Sequence, residues 1–373
     1  MNQTFMKEKK ILPLVLSMSL PMVLSMLVNS LYNIIDSYFV AKISENAMTA
    51  LSLVYPLQIL INAVAVGLGI GLNTAASFYL GAQDHEKADD AASLGMVLSA
   101  IHGLVLTFIC ILIVPSFLHL FTQDESVISY ALTYSYIVFA FTTPITISIA
   151  MEKVFQAEGQ MVITMTTMLC GCITNIILDP IFIFGLGPVP EMGIAGAAWA
   201  TGIGQVVPMM LYFIIYLKKP LPLRLRIRKG MFDRKLCGRI YGVGIPAALN
   251  MALPSLMITA LNGILASFSA VYVLVLGIYY KLQTFIYLTA NGIVQGIRPI
   301  AGYNYGAGEY KRVKNVFQTA LALTAGVMLA GAIICMIFAS WLMGLFTSNL
   351  ETISAGCTAL RIISIGFRVS SIS

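Results

Sequence analysis

The stretch NAMTALSLVYPLQILINAVAVGLGIGLNTAASFYLGAQ, residues 46–83, runs for 38 residues without a charge. It carries Tyr55-Pro-Leu-Gln58 in its first half and glycines at 67, 69 and 71 in its second. About 20 apolar residues suffice for a helix to cross the hydrocarbon of a bilayer, so this stretch holds one long spanning helix with a Gly-rich end. Its surroundings are alike: 58% of the 373 residues are hydrophobic, 10% are charged, and the mean hydropathy is +0.88. A soluble chain averages roughly 25% charged residues. This composition places the chain in a bilayer and excludes a cytosolic enzyme, a secreted disulfide scaffold and a disordered regulator.

Outward from 46–83, the remaining apolar runs fall on the same ruler. Residues 11–35, 91–123 and 126–151 give the first, third and fourth spans, and 161–185 and 193–217 the fifth and sixth. After a polar stretch come 240–264, about 273–304, 315–340 and 352–371, which makes ten. The first run is too long for a signal-peptide core, and no small-residue cleavage site closes it, so it reads as a retained helix. Lysine and arginine in short loops set the direction. Lys7, Lys9, Lys10, Lys87, Lys153, nine basic residues between 218 and 239, and Lys311, Arg312 and Lys314 fall on one side, with Lys42 alone on the other. The N-terminus is therefore expected in the cytoplasm of a cell with this chain in its plasma membrane. The net charge of +6 is a positive-inside signature rather than a nucleic-acid footprint.

Shifted by 225, the chain matches itself without gaps. Pro21 falls on Pro246 and Leu24 on Leu249, and Tyr55-Pro-Leu-Gln58 falls on Tyr280-Lys-Leu-Gln283. Gly67, Gly71 and Gly81-Ala82 meet Gly292, Gly296 and Gly306-Ala307, and Leu120-Phe-Thr122 meets Leu345-Phe-Thr347. Chance in an apolar chain matches leucines and alanines, not these residues in one register. Equivalent helices lie six spans apart, so the copies are parallel repeats about an axis along the membrane normal. The expected organisation is an N-terminal lobe over 1–217, a basic cytoplasmic linker over 218–239 and a C-terminal lobe over 240–373. The second copy stops after its fourth helix. The reading is an all-α polytopic protein with ten of twelve helices present, which alone is not expected to transport.

Two six-helix lobes, Pro21 in the first span, Asp36 near its outer end, Asn175-Ile-Ile-Leu-Asp-Pro-Ile-Phe-Ile-Phe-Gly185 in the fifth, Tyr79-Leu-Gly-Ala82 and Gly302-Tyr-Asn-Tyr-Gly-Ala307 together resemble the multidrug and toxic compound extrusion (MATE) family. The resemblance implies export of bulky, mostly cationic and lipophilic compounds driven by inward flow of sodium ions or protons. It also adds Thr201 as an oxygen ligand for the coupling ion.

From the residues themselves, an ionisable group at mid-bilayer costs about 2.5–3.5 kcal/mol on insertion scales and so marks function. Asp36 and Asp179 qualify. Asn175 lies on the helix face of Asp179, four residues away, and Pro180 frees the carbonyl of Ile176 one turn back. Two carboxylates, an amide and a carbonyl are hard-oxygen chemistry suited to Na⁺ or a shared proton. Plainer readings exist: Asp36 as an interfacial residue, Asp179 as the cap of a broken helix. Pro21 and Pro180 are the candidate hinges, with ion loading bending the first helix at Pro21. Tyr55, Gln58, Tyr280 and Gln283, repeat-related, are cavity candidates because aromatic rings attract organic cations, although such residues also pack between helices. Lys281 and Arg298 lie in the eighth span, where a cation in the cavity would repel a cationic drug. Glu152 and Glu158 read as solvated loop charges.

The six cysteines sit almost wholly in apolar runs without metal-ligand spacing, and no phosphate-cradling G-x-x-x-x-G-K-[ST] loop exists. No cofactor, ATP use, nucleic-acid partner or catalytic set is expected, and the protein is expected to act as a monomer in lipid. The rival reading is a flippase for lipid-linked oligosaccharides or peptidoglycan precursors, which would favour several cavity arginines.

Overall fold

The computed structural model describes residues 3–219, 221–228, 231–267, 270–344 and 353–362. Every regular element among them is a helix. After the short α1 (Phe5–Glu8) come α2 (Ile11–Ala41), α3 (Glu45–Gly81), α4 (His85–His119), α5 (Glu125–Ala140), α6 (Thr142–Ala157), α7 (Met161–Phe184) and α8 (Ile194–Lys218). Then follow α9 (Arg234–Ala266), α10 (Ala270–Gly306), α11 (Tyr310–Ile337) and α12 (Ala339–Gly344), and a final described helix, Ile353–Ile362. Among the described residues seven helices are long and apolar enough to cross a membrane, or eight if α5 and α6 count as one. Half of the tenth expected span, 352–371, lies outside the described residues.

Side chains begin these helices where the sequence turns polar. Ser44 caps α3 by accepting from Ala47 N (3.0 Å), Asp84 caps α4 through Lys87 N (3.1 Å), and Asp124 caps α5 through Ser126 N (2.9 Å). Gly185, at φ +71°, closes α7 in the left-handed conformation that glycine adopts without strain. The expected fourth span, 126–151, is the broken pair α5–α6, bent by 45° at Phe141. Pro144 cannot donate to the Ala140 carbonyl, so the helix restarts after the break.

The chain packs as two units that do not follow the repeat boundaries. The first holds 1–7, 28–252 and 298–309, and the second 8–27, 253–297 and 310–373. In the first, Gly67 admits the backbone of α9: a Cβ there would lie 2.6 Å from Gly244 O and 2.7 Å from Ala248 Cβ. At the end of α3, a Cβ on Gly81 would overlap the Tyr303 carbonyl oxygen of α10, and one on Gly306 would overlap the Phe78 carbonyl oxygen. The offset of 225 carries Gly81 to Gly306 and Phe78 to Tyr303, so the two contacts are repeat images. In the second unit Gly292 meets Val23, with a built Cβ 2.6 Å from Val23 Cα. The same offset relates this contact to that of Gly67 with Ala248. There an apolar cluster of Val275, Ile278, Tyr279, Met328 and Met343 ties α10, α11 and α12.

Of the two acidic residues expected as solvated loop charges, Glu158 is buried and Glu152 partly so, and Lys153 beside them is buried as well. Lys153 is 3% exposed, ion-paired to Glu152 Oε1 at 2.7 Å and donating to Gln156 Oε1 at 3.1 Å. Gly69 leaves room for its stem, since a Cβ there would fall 2.8 Å from Lys153 Cγ. Glu152 itself is only 14% exposed at its side chain and accepts from Gln156 Nε2 at 2.6 Å. Glu158, 2% exposed at the end of α6, accepts from Leu223 N at 2.6 Å because the linker folds back over it. Glu158 was misread because linear position showed the helix end but not the linker covering it.

Burial pushes the Glu158 carboxyl up to about 7, against the opposing pull of the Leu223 N–H. The folded state thus holds a proton that the unfolded chain, ordinarily near 4.5, releases. Stability from this group is full below about pH 4.5 and is lost as pH rises through 7. Thermal melting in detergent is expected to show a midpoint falling between pH 5 and pH 8, with Glu158→Gln flattening that fall. An unchanged slope in the variant contradicts the assignment.

Candidate functional site

Glycines bring the fifth and sixth expected spans together. A Cβ on Gly171 of α7 would lie 2.6 Å from Gly204 O of α8, and one on Gly204 would lie 2.9 Å from Asn175 Cβ. This close approach sets Asn175 and Asp179 of α7 beside Thr201 of α8. Asp179 is 0%, Asn175 2% and Asp36 8% exposed. The Asn175 amide donates to Asp179 Oδ1 at 3.3 Å. Turned so that both its atoms are satisfied, it donates to Asp179 Oδ2 at 3.2 Å and accepts from Thr201 N at 3.2 Å.

Asp36 of α2 comes within side-chain interaction distance of Asp179, so both aspartates picked from the sequence share one site. Two carboxyls so placed in a medium of low dielectric repel when both are charged, and a proton or cation between them relieves the repulsion. Asp36 Oδ1 and Thr201 Oγ1 are buried without a hydrogen-bond partner. Such orphaned oxygens are costly unless a ligand meets them, and together with the carboxylates they fit a proton or a hard cation. Among the described residues no group of three or more His, Cys, Asp or Glu side chains assembles a transition-metal site.

Beside Asp36 opens a cavity of about 480 Å³ whose lining includes Asn33, Asp36, Ser37, Met48, Tyr55, Gln58, Tyr134 and Thr201. That volume is within the range of drug-sized pockets. Tyr55, 56% exposed, and Gln58 are both among the cavity's lining residues. The sequence reading missed three residues. Tyr134 of α5 receives a hydrogen bond from Gln58 Nε2 (3.4 Å), and Tyr32 interacts with Gln205 of α8. Tyr32 is four residues before Asp36 and Gln205 four after Thr201, so helical spacing from the chosen residues would have found both. Tyr134 carried no local signal, since only tertiary folding brings α5 to Gln58.

The other candidates lie elsewhere. Tyr280 and Gln283 belong to the second unit and are half-buried, with Tyr280 packed against that unit's apolar cluster and its ring centroid 5.3 Å from that of Tyr279. The Lys281 side chain lies outside the described residues. Arg298 does not line the cavity; it is half-buried in the first unit, within the field of Lys153. Pro21 sits inside α2, its carbonyl taken by Ser25 Oγ at 2.7 Å, and Pro180 follows Asp179 within α7.

A many-spanning helical protein with paired intramembrane carboxyls beside a cavity defines a multi-pass membrane transporter. The MatE family model matches residues 21–181 and 246–373, and the chain belongs to that family of multidrug efflux transporters. The multidrug export protein MepA of Staphylococcus haemolyticus (strain JCSC1435) is 24% identical over 359 residues, covering 96% of this chain and 78% of that protein. MepA of Staphylococcus aureus (strain N315) is 25% identical over 363 residues with the same coverage. A solved structure described as the outward-facing conformation of a multidrug resistance MATE family transporter of the MOP superfamily superposes with a TM-score of 0.91 at 25% identity, covering 100% of this chain and 82% of that one. Another, of MATE in the bent conformation, gives a TM-score of 0.92 at 25% identity and the same coverage. These likenesses favour an exporter over the flippase reading.

Proposed function

We propose that this protein exports lipophilic organic cations against an inward flow of Na⁺ or protons, by alternating access between the repeat copies 1–217 and 240–373, with the N-terminus in the cytoplasm of the plasma membrane. The observation that carries the reading is the buried Asp36–Asp179 pair with its orphaned oxygens, set against a cavity that offers the Tyr55 ring to a cation. Asp36, Asn175, Asp179 and Thr201 hold the coupling ion. Asp36 lines both the ion site and the cavity, so an incoming ion and a cationic substrate compete for one negative charge, and loading the ion favours release of the drug. Tyr55 and Gln58 contact the substrate. Pro21 and Pro180 are the points where α2 and α7 flex, because each removes one rung of the backbone hydrogen-bond ladder.

Vesicles loaded with ethidium and given Na⁺ and then proton gradients test this reading, with the 373-residue chain and with a chimera that adds the remainder of a MepA relative, of which this chain covers 78%. Efflux that follows one gradient in either form supports it and names the ion; efflux indifferent to both overturns it. Pro21→Ala is expected to slow gradient-driven efflux several-fold while leaving ethidium affinity unchanged, measured by fluorescence titration; unaltered efflux removes Pro21 as a hinge.

A further inference from the structure

The linker after α8 is an extended strap fixed along its backbone. Leu223 N donates to Glu158 Oε1 (2.6 Å), Arg224 N to Asp89 Oδ1 (2.8 Å), Leu225 N to the Tyr216 hydroxyl (2.7 Å) and Arg226 N to Ser93 Oγ (2.9 Å). Four successive N–H groups held by side chains leave the strap one register. An extended chain alternates its side chains: Leu221 and Leu223 are 8% and 0% exposed, while Arg224 and Arg226 face out.

The outward face is cationic with apolar flanks. Ile227 is 82% and Leu217 81% exposed. Arg228 is answered by Asp90 (2.6 Å) and Glu86 (2.7 Å). The guanidinium groups of Arg224 and Arg226 form no ion pair among the described residues; both act at longer range on the single charge of Asp89, whose Oδ1 accepts from the Arg224 N–H, so the pair keeps a net positive charge. Depth is fixed by Ser93, which lies inside the charge-free run 91–123 and bonds Arg226 N. Arg226 is therefore tied to the start of the apolar run, the end of a spanning segment where headgroups are expected.

We propose that Arg224 and Arg226 form a binding site for anionic phospholipid headgroups, with Ile227 and Leu217 entering the acyl region beside them. A guanidinium donates two parallel hydrogen bonds to a phosphate, and basic residues at this level are attracted to anionic lipid. The site is independent of the exporter reading. Because the strap bonds to the ends of α4, α6 and α8, a bound lipid would also brace those helices.

Native mass spectrometry of the purified chain in neutral detergent tests this, with phosphatidylglycerol, phosphatidylcholine, inorganic phosphate and a short RNA as separate probes. The wild type is expected to bind phosphatidylglycerol in preference to phosphatidylcholine. R224Q/R226Q is expected to weaken phosphatidylglycerol by about 25-fold, about five-fold per arginine. R224K/R226K, which keeps the charge but loses the paired hydrogen bonds, should lie between wild type and R224Q/R226Q, and R234Q/K235Q, which removes as much charge outside the strap, should stay within about two-fold of wild type. Undiminished binding by R224Q/R226Q, equal losses in R234Q/K235Q, displacement of the lipid by equimolar inorganic phosphate, or RNA bound in its place would each overturn the proposal.

Discussion

Asp36→Asn is expected to bring gradient-driven ethidium efflux down to the level of protein-free vesicles while leaving membrane insertion and melting temperature close to wild type. Asparagine matches the size of aspartate, so the packing of α2 against α7 and α8 survives. What disappears is the charge that the proposed coupling ion would neutralise. Asp36 Oδ1 has no hydrogen-bond partner in the fold, and asparagine keeps an oxygen and gains a donor toward Asp179, so the structural cost is small beside the functional one. Asp179→Asn should abolish efflux as well. It additionally disturbs the bond from Asn175 (3.3 Å), so its melting temperature should fall. Efflux by Asp36→Asn at the wild-type rate would remove the residue from the coupling site.

Gly81→Val and Gly306→Val are expected to destabilise the first unit by similar, large amounts, about 3 kcal/mol each or more. At both positions a Cβ would meet a backbone carbonyl oxygen, Tyr303 in one case and Phe78 in the other. Backbone cannot turn aside as the end of a flexible side chain can. Gly326→Ala is the opposite case. Nothing lies within 4 Å of its Cβ position, so alanine should stabilise α11 by about 1 kcal/mol through helix propensity alone. Melting curves of the three variants in one detergent check the contrast; a Gly81→Val protein melting with the wild type would refute the backbone contact.

These glycines also show what the sequence could and could not reveal. The offset of 225 identified Gly81 with Gly306 and Gly67 with Gly292 before any contact was known, because a repeat keeps glycine where one helix must touch another. It could not say which backbone each would meet. The spans were readable from charge-free runs, since lipid imposes length and composition on a helix. The break at Phe141 was not, because Pro144 breaks the ladder inside an uninterrupted apolar run.

The site divides the same way. Asp36 and Asp179 were legible because a carboxylate in an apolar run has no cheap explanation, and Asn175 followed from helical spacing. Thr201 came only from family resemblance, since a threonine on a Gly-rich helix is unremarked by pattern. Glu158 was misread as solvated because burial by a distant linker leaves no trace in the neighbouring residues. Packing also divided the chain differently from the repeat: α2, α9 and α10 are long enough for their two ends to belong to different packing units.

Central to the account is that one carboxyl pair binds the coupling ion and answers to the substrate cation, and linkage requires that effect to be reciprocal. The most direct measurement is ethidium titration of the purified chain in weakly buffered detergent, with a pH indicator and a sodium electrode read together. The account predicts that ethidium binding releases a proton or a sodium ion from the wild type, and that Asp36→Asn with Asp179→Asn abolishes the release. Ethidium binding without release from the wild type, or with equal release from the double variant, would contradict it.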